Sequence, residues 1–422
     1  MGRRLGIGIT GSFGSGCSKV SGIIKKDYNF EMYSLSDTLK SEWDKLYPGQ
    51  KYDKEKLQDL GNKLRRDQGL SYLAKETYKK VTVNKKRAKD IVFDSIRNPA
   101  EIEFLRTKFQ DFYLIAVDSA EGDRWERIKE KEYLSKDLDY EQFKKDDARD
   151  KNEDGIVYGQ QVALCVDQAD YLLRNDNDPM ITSDPAIKRI LKGKLEDPIN
   201  LFKGKTRTPR KQETYMGIAF TASLMSECVK RQVGAVIIDK QGNVVSVGYN
   251  IPPKPLKPCY KQFGDCYREI VIARTMENVS NCPSCKKALE ALNYPYTCPH
   301  CGENIYKKII TDRAIGRCMS LHAEEKALAN INSAVLSDCV LYVTTFPCFH
   351  CAQKILDSGI SRLCYFESYP DLDAVKLFNL AKSRGKEVKI QKFEGVKASA
   401  YIKLFGNWRA TRESELIIGR QK

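Results

Sequence analysis

Four side chains that bind metals or carry protons lie close together in the second half of the chain. His322 and Glu324 stand two residues apart, and Pro347-Cys348-Phe349-His350-Cys351 follows. An imidazole and two thiolates are zinc ligands, and three protein ligands leave the fourth position of a tetrahedral zinc open for water. A neighbouring carboxylate can relay protons. The sequence therefore predicts a catalytic zinc held by His322, Cys348 and Cys351, with Glu324 as the proton shuttle.

The elements around these residues predict that the ligands meet at two helix N-termini. Residues 323–330 read as a helix, 339–344 as a strand and 352–356 as a second helix. Positive helix ends lower the pKa of thiols, and the thiolate is the form that binds metal. The H-x-E…P-C-x-x-C spacing is typical of zinc-dependent nucleobase deaminases. A structural Cys/His zinc site is the alternative, but it requires a fourth ligand and leaves Glu324 without a role.

Length and composition indicate an ordinary globular protein. A chain of 422 residues predicts two or three domains, and 41% hydrophobic with 30% charged residues is a usual balance. No long uncharged apolar stretch or signal-peptide core appears, so we expect a cytoplasmic protein that does not contact a membrane. The net charge of +15 favours an anionic partner, although residues 188–211 contribute much of the excess.

Six of the fourteen cysteines in the chain lie in C-x-x-C pairs, which predict metal sites rather than disulfides. An insertion at about 254–318 carries two C-x-x-C pairs, Cys282, Cys285, Cys298 and Cys301. This spacing predicts a structural zinc ribbon that folds the insertion. Three further cysteines are left over, namely Cys259, Cys266 and Cys318. They bind a third zinc or are buried thiols, and we interpret Cys17, Cys165, Cys228 and Cys364 as buried small apolar residues.

The N-terminus predicts a phosphate-binding loop. A short apolar strand (5–10) runs into a glycine-rich loop and then a helix (19–26). The residues that fit the loop motif are Gly11, Gly14, Gly16 and Ser18. Glycines let backbone N–H groups turn towards an anion at the helix start. Because Cys17 stands where the motif has lysine, we expect a bound nucleotide or phosphate rather than kinase chemistry; a glycine turn that serves only packing is the alternative.

An alternation of strands and helices continues through residues 1–178. Strand-like runs at 30–34, 90–93 and 112–117 predict a parallel sheet with helices on both faces. This part resembles the nucleoside-monophosphate kinase group of P-loop proteins, through Tyr33-Ser-Leu-Ser-Asp37 and Asp94-Ser-Ile-Arg-Asn-Pro99. Three arginines resemble that group's lid region, Arg124, Arg127 and Arg149. Residues 179–213 are basic and hold four prolines, which predicts a linker with one or two short helices.

Residues 214–422 resemble the deoxycytidylate deaminase family. After a predicted helix (214–228) and hairpin (233–249), four motifs follow the family's order: Arg231-Gln-Val-Gly-Ala-Val236, Gly248-Tyr-Asn-x-Pro252, His322-Ala-Glu324 and Pro347-Cys-x-x-Cys351. The resemblance implies a cytidine-deaminase-like α/β/α sandwich with substrate contacts from Asn250 and Ala323. Tyr369, which follows the predicted strand 362–366, is a candidate for stacking on the pyrimidine, with a packing role as the alternative. We expect the aromatic tail (393–406) to pack on this domain's sheet or on a neighbouring subunit.

The order of the two halves resembles bacterial anti-phage deaminases, in which a P-loop domain is fused ahead of a deoxycytidylate deaminase domain. That resemblance implies zinc-dependent conversion of dCMP, dCTP or both to the uracil form, depleting the pool a phage needs. It also implies a homo-oligomer, with a hexamer as one option. The loop without its lysine leads to the hypothesis that the P-loop domain binds a regulatory nucleotide and sets the activity of the deaminase domain. An RNA or protein inhibitor is a further open option. The insertion and Cys17 depart from the group.

Three other classes of function stay open on the sequence. A nucleic-acid cytosine deaminase fits the basic charge and the zinc ribbon, although no alternation of aromatic and basic residues stands out. A nucleotide kinase with a non-catalytic deaminase fold is disfavoured by the missing loop lysine and the intact zinc motif. A nucleotide-sensing module with little turnover would bind ligand without releasing ammonia.

Overall fold

The structure is a computed structural model in which the chain forms two compact units. The described residues are 4–83, 89–129, 139–151, 156–177, 183–289, 296–305, 318–329, 331, 336–367 and 371–406. One unit comprises residues 1–213 and 394–422, and the other residues 214–393. The second unit is therefore inserted into the sequence of the first. Within the described residues, no helix combines the length and apolar character needed to cross a membrane.

The first unit alternates strands with helices, as its apolar runs predict. Its elements before the insertion are β1 (Leu5–Thr10), α1 (Cys17–Asp27), β2 (Glu31–Ser34), α2 (Leu35–Leu46), α3 (Lys54–Gln68), α4 (Tyr72–Val83), β3 (Ile91–Asp94), α5 (Pro99–Lys108), β4 (Asp111–Asp118), α6 (Glu121–Lys129), α7 (Tyr140–Lys151), α8 (Val162–Asp167), β5 (Tyr171–Arg174) and α9 (Asp184–Phe202). Strands β5, β4, β1, β3 and β2 are neighbours in that order and all run parallel.

Strand β1 lies at the centre of this sheet and is buried on both faces. Ile7 and Ile9 pack in a core that also contains apolar residues of α1 and α9. Gly8 faces the other way, and a Cβ there would lie 2.6 Å from the side chain of Ile96. Strands covered on both faces read as continuous apolar runs, which is why this strand was predictable. The strand places the glycine-rich loop at its carboxyl end.

Helix α9 occupies residues that the sequence placed in a basic linker. It is 19 residues long, and Leu191, Leu195 and Ile199 are buried in the core of the first unit. Pro185 lies in its first turn, where no intrahelical N–H is needed, and Pro198 lies inside the helix. Apolar residues with helical spacing lie between the basic residues of this segment, and the sequence prediction overlooked them. Because they are buried in its core, the segment is part of the first unit and not a linker.

The second unit holds a five-stranded sheet. Its elements are α10 (Lys211–Ser223), β6 (Gly234–Ile238), β7 (Val244–Tyr249), α11 (Cys259–Phe263), α12 (Tyr267–Glu277), α13 (Ala323–Ala329), β8 (Val340–Thr345), α14 (Phe349–Ser358), β9 (Arg362–Glu367), α15 (Leu372–Ser383) and β10 (Lys389–Lys392). The strand order is β10-β9-β8-β6-β7, with β6 antiparallel to β7 and β8, and the other pairs parallel. The predicted hairpin and the mixed α/β class with two sheets are confirmed.

The tail returns to the first unit. Strand β11 (Gly395–Val396) pairs antiparallel with β5, and α16 (Ala398–Phe405) packs in the same core as β1 and α9. The buried Lys397 donates hydrogen bonds to the carbonyl oxygens of Val166 and Asp167, at 2.7 and 2.6 Å, which caps the end of α8. Our expectation that this segment packs on the deaminase sheet is therefore wrong for residues 395–405, and a contact with a neighbouring subunit stays a prediction.

Candidate metal centre and active site

Three predicted ligands meet at the start of two helices. His322 immediately precedes α13, Cys348 is the N-cap residue of α14, and Cys351 lies in the first turn of α14. His322 Nδ1 lies 3.4 Å from Cys348 Sγ and 3.3 Å from Cys351 Sγ, and all three ligand atoms lie within 4.8 Å of one another. One nitrogen and two sulfurs so closely spaced fit a zinc ion with one coordination position left open.

Carboxylates on the adjoining turns hold these ligands in place. Glu325 accepts a hydrogen bond at 2.7 Å from the backbone N–H of His322 and is ion-paired with Lys354. Asp371, the N-cap of α15, accepts a hydrogen bond at 2.7 Å from the N–H of Phe349. Residues on three helices therefore fix the turns that carry the ligands. Asp371 was not predicted, because nothing in its sequence neighbourhood marks it.

Glu324 is buried beside the ligands, in the first turn of α13. Burial raises the pKa of its carboxyl group to about 7, while the positive charge of His322 and a contact with Cys351 act in the opposite direction. A carboxyl group with a pKa near neutrality can both accept and return a proton, as general acid–base catalysis requires. The geometry is consistent with the role predicted for Glu324.

The charges inside the cluster favour a thiolate. Hydrogen bonds from Cys351 and His322 lower the pKa of Cys348 to about 4, and burial opposes them. The hydrogen bond with Cys348 is also the main reason that the pKa of His322 rises to about 9. Cys348 therefore loses its proton readily, which prepares it to bind a metal cation.

A glycine in the neighbouring strand allows α13 to approach the sheet. A Cβ on Gly248 would overlap the carbonyl oxygen of Ala323 and lie 2.5 Å from the N atom of Ala327. Ile251 and Leu321 exchange two backbone hydrogen bonds, of 3.2 and 3.0 Å, just before His322. Gly248 is thus required for the close contact of β7 with the helix that carries Glu324. Ala323, a predicted substrate contact, is fully buried at this contact.

The side chain of Asn250 is engaged with the backbone of a neighbouring turn. Its Oδ1 accepts a hydrogen bond at 2.8 Å from the N–H of Val233, and its Nδ2 donates one at 2.9 Å to the carbonyl oxygen of Arg231. Asn250 is therefore placed by these two bonds, and its predicted contact with a substrate stays a prediction. Tyr369, the other predicted substrate residue, lies outside the described residues.

The four cysteines of the predicted ribbon also converge. Cys282 Sγ lies 3.7 Å from Cys301 Sγ, Cys285 Sγ lies 3.8 Å from Cys298 Sγ, and all four sulfurs lie within 4.8 Å of one another. The two pairs are built alike: the N–H of the first cysteine of each pair donates to the carbonyl oxygen five residues later, at 2.9 and 2.8 Å. Four thiolates without an open position fit a structural zinc.

A further group of cysteines faces a small cavity of about 20 Å³ in the same unit. The residues are Cys228, Cys259, Cys266 and Cys318. Burial raises the pKa of Cys318, and the other three thiols add to the effect. Their sulfur atoms do not form a group as tight as the two clusters above. Cys228, which we interpreted as an apolar residue, thus joins the three cysteines considered for a third zinc.

The predicted phosphate loop has the backbone geometry of an anion site. Gly14 and Gly16 have φ values of 82° and 97°, and a Cβ on Gly11 would overlap the carbonyl oxygen of Val117. Within the described residues, the N–H groups of Gly14 and Gly16 have no hydrogen-bond acceptor. Ser18, in the first turn of α1, donates a hydrogen bond at 3.1 Å to a carboxylate oxygen of Asp94, at the end of β3.

Two of the arginines that resemble a lid region, Arg124 and Arg127, donate hydrogen bonds to carbonyl oxygens of this loop. Arg124 donates to the carbonyl oxygen of Phe13 at 2.9 Å and makes two hydrogen bonds, of 2.5 and 2.9 Å, to Asp147. Arg127 donates to the carbonyl oxygen of Gly14 at 3.3 Å. These hydrogen bonds from the two arginines support the loop conformation. Arg149 is ion-paired with Asp59 instead.

The second half of the chain is similar to known deaminases. Residues 209–367 match the family model described as the cytidine and deoxycytidylate deaminase zinc-binding region. The deoxycytidylate deaminase of Homo sapiens is 29% identical over 175 residues, 40% of this chain and 74% of that protein. The deoxycytidylate deaminase of Schizosaccharomyces pombe is 30% identical over 192 residues, 45% of this chain and 47% of that protein. The chain thus spans about half the length of the fission yeast relative.

A further relative is an archaeal protein. A UPF0200 protein of Methanocaldococcus jannaschii is 31% identical over 170 residues, which are 40% of this chain and 81% of that protein. Over those residues the chain belongs to the same family as the archaeal protein.

Proposed function

We propose that the chain is a zinc-dependent enzyme that hydrolytically deaminates deoxycytidine nucleotides, dCMP, dCTP or both, to the corresponding deoxyuridine nucleotides. The observation that carries the proposal is the placement of the buried Glu324 beside a three-donor cluster of His322, Cys348 and Cys351. The deoxycytidylate deaminase names of the two relatives support the substrate class.

The chain's own residues account for the proton transfers. Zinc, when bound, supplies the Lewis acidity that makes water nucleophilic near neutral pH. Glu324 takes a proton from the attacking water and passes it to N3 of the pyrimidine, and a second transfer through the same carboxylate lets ammonia leave from C4. Burial of Glu324 keeps its pKa near 7, so both transfers are accessible to one group.

The glycine-rich loop of the first unit binds a regulatory nucleotide in this proposal. The unpaired N–H groups of Gly14 and Gly16 in the described structure and the Ser18–Asp94 pair support it. The test replaces Gly16 by Val and measures nucleotide binding and deamination. If neither changes, the regulatory role is abandoned.

We also propose two zinc ions per chain, one catalytic and one in the ribbon, and a third at the cavity of Cys228, Cys259, Cys266 and Cys318. Four thiols around one cavity support the third ion. Measurement of zinc per chain in the purified protein distinguishes two bound ions from three. Three zinc ions that fall to two in Cys318→Ser support the third site, and two zinc ions in both proteins exclude it.

Depletion of deoxycytidine nucleotides as an anti-phage defence is the biological role that we propose. A homo-oligomer, with a hexamer as one option, and silencing by an RNA or protein inhibitor belong to the same proposal. Cells that express wild-type protein or Glu324→Ala, challenged with phage, test the role. Protection by both proteins equally would contradict it.

The deciding assay offers dCMP, dCTP, CMP, CTP and a cytosine-containing oligonucleotide, each with and without other nucleotides, and measures ammonia. Wild type is compared with Glu324→Ala and with Glu387→Ala, in which an exposed carboxylate is removed. We expect conversion of a free deoxycytidine nucleotide by wild type and Glu387→Ala alone. Conversion of only the oligonucleotide would establish a nucleic-acid deaminase, and binding without ammonia would establish a sensing module.

A further inference from the structure

The glycine-rich loop lacks a positive charge where its motif has lysine. Cys17 occupies that position, and burial, together with the charge of Asp94, raises the pKa of its thiol to about 12, so the side chain is neutral. Lys19, two residues later, is ion-paired with Asp184 at 2.8 Å. A cation for a bound phosphate chain therefore has to come from another element of the first unit.

Lys54, the first residue of α3, reaches the loop. Its Nζ lies 3.3 Å from the centroid of the Phe13 ring, and Phe13 is the third residue of the glycine-rich loop. The side chain is 18% exposed, and its Nζ is buried without a hydrogen-bond partner in the described structure. Burial lowers the pKa of this ammonium group. Its ion pairs with Asp146 and Asp150 are long and it makes no hydrogen bond, so its burial is only partly compensated, and an anion in the loop would add the missing contact.

Lys54 is ion-paired with two carboxylates, but neither makes a hydrogen bond to it in the described structure. Asp146 and Asp150 are 3.4 and 3.9 Å from Nζ. Asp150 accepts shorter hydrogen bonds from Gln58, at 2.6 Å, and from Arg97, at 2.8 Å. The charge of Arg97 is thus committed to Asp150 by a hydrogen bond, whereas Lys54 is held to its two carboxylate partners only by longer ion pairs. A lysine is also a flexible point charge that can follow a phosphate.

We infer that Lys54 supplies, from helix α3, the cationic contact to the phosphate chain of a nucleoside diphosphate or triphosphate that Cys17 cannot make. The inference rests on the proposed nucleotide-binding function of the loop. The ammonium group moves from the ring of Phe13 onto the phosphate oxygens, while the N–H groups of Gly14 and Gly16 contact the same anion. The site is completed by Ser18 and Asp94, whose oxygens are those a phosphate-bound magnesium ion uses.

The test measures binding of magnesium ATP, magnesium dTTP and inorganic tripolyphosphate to the full-length protein by calorimetry. Lys54→Met removes the charge and keeps the apolar stem. Lys56→Met is the matched control, because Lys56 lies on the same helix, is 55% exposed and pairs with Asp53. We expect Lys54→Met to weaken tripolyphosphate binding by about tenfold or more, as loss of a charge-assisted contact does. Lys56→Met should bind within about twofold of wild type, because a surface ion pair contributes little.

A second variant returns the cation to its usual place. Cys17→Lys in the Lys54→Met background should restore binding, and Lys54→Gln replaces Lys54→Met if the latter is unstable by thermal unfolding. Equal binding by wild type and Lys54→Met would overturn the inference while the loop function stands. Loss of binding in Arg97→Met but not in Lys54→Met would overturn it in favour of Arg97. Absence of binding of every probe by wild type would overturn the loop function itself.

Discussion

Two cysteines at helix starts show opposite acid strengths in this protein. Cys348 is the N-cap of α14 and Cys17 is the first residue of α1, and each follows a strand and a loop. The pKa of Cys348 falls to about 4 because Cys351 and His322 hydrogen-bond to its sulfur, whereas burial and Asp94 raise the pKa of Cys17 to about 12. The helix dipole favours an anion at both places. The neighbouring side chains therefore decide which thiol ionises.

The same comparison separates the chemistry of the two sites. Around Cys348, a second thiol, an imidazole and the buried Glu324 assemble the parts of a hydrolytic zinc site. Around Cys17, backbone N–H groups, Ser18 and Asp94 form the proposed phosphate site, in which the thiol is not ionised. One helix start thus fits a cation and the other an anion.

The largest effect is expected at the cation site. Cys351→Ala removes one of three ligands, and we expect deaminase activity below about 1% of wild type, because several kcal/mol of transition-state stabilisation come from the metal. Zinc per chain should fall by one ion, as measured by elemental analysis. Cys364→Ala, which truncates a buried cysteine of β9 outside the cluster, is the control and should keep its zinc. Full activity in Cys351→Ala would contradict the ligand assignment.

The thiols themselves can be compared by alkylation of chelated, reduced protein. At pH 7 a thiol with a pKa near 4 is almost fully ionised, whereas one with a pKa near 12 is almost fully protonated. We expect iodoacetamide to modify Cys348 about a hundredfold faster than Cys17, or more. Between pH 6 and 9 the rate at Cys348 should stay flat, while the rate at Cys17 should rise about tenfold per pH unit. Peptide mass spectrometry measures both, and equal rates would refute the contrast.

A steric prediction concerns the helix that carries Glu324. Gly248→Ala places a methyl group on the carbonyl oxygen of Ala323, so we expect a loss of about 1–3 kcal/mol in the free energy of unfolding. The control is Gly217→Ala in α10, where no atom lies within 4 Å of the added Cβ. It should be neutral or stabilising by about 0.5–1 kcal/mol. Denaturant titrations measure both, and a stable Gly248→Ala would show that β7 and α13 can separate without cost.

The smallest effect is expected at the anion site. Cys17→Ser keeps a small neutral side chain, so nucleotide binding should change by less than about twofold and stability by less than about 1.5 kcal/mol. Calorimetric titration with magnesium ATP measures the first and thermal unfolding the second. A tenfold loss of binding would show that the sulfur contributes directly to the phosphate contact.

Local spacing made the metal clusters predictable. His322 and Cys348 are separated by one helix and one strand, and the ribbon pairs are short turns, so residue type and distance along the chain nearly determine the geometry. The parallel strands of the first unit were predictable for a similar reason, because strands buried on both faces read as apolar runs.

Contacts between distant segments could not be predicted in this way. Lys397 caps α8 across about 230 residues, and Cys228 joins cysteines from three other segments of the second unit. The prolines and basic residues of α9 led to the prediction of a linker, so its apolar face was missed. Lys54 carries no motif, and only its position over Phe13 relates it to the loop. These contacts between distant segments are seen only in the folded structure.

In the proposed mechanism, one buried carboxylate, that of Glu324, moves the protons of a zinc-dependent deamination. The most direct measurement is ammonia release from dCMP and dCTP by Glu324→Gln at the same zinc content as wild type. We expect retained zinc and a rate lower by about a hundredfold to ten-thousandfold, the usual contribution of a general acid–base. An unchanged rate with zinc retained would contradict it.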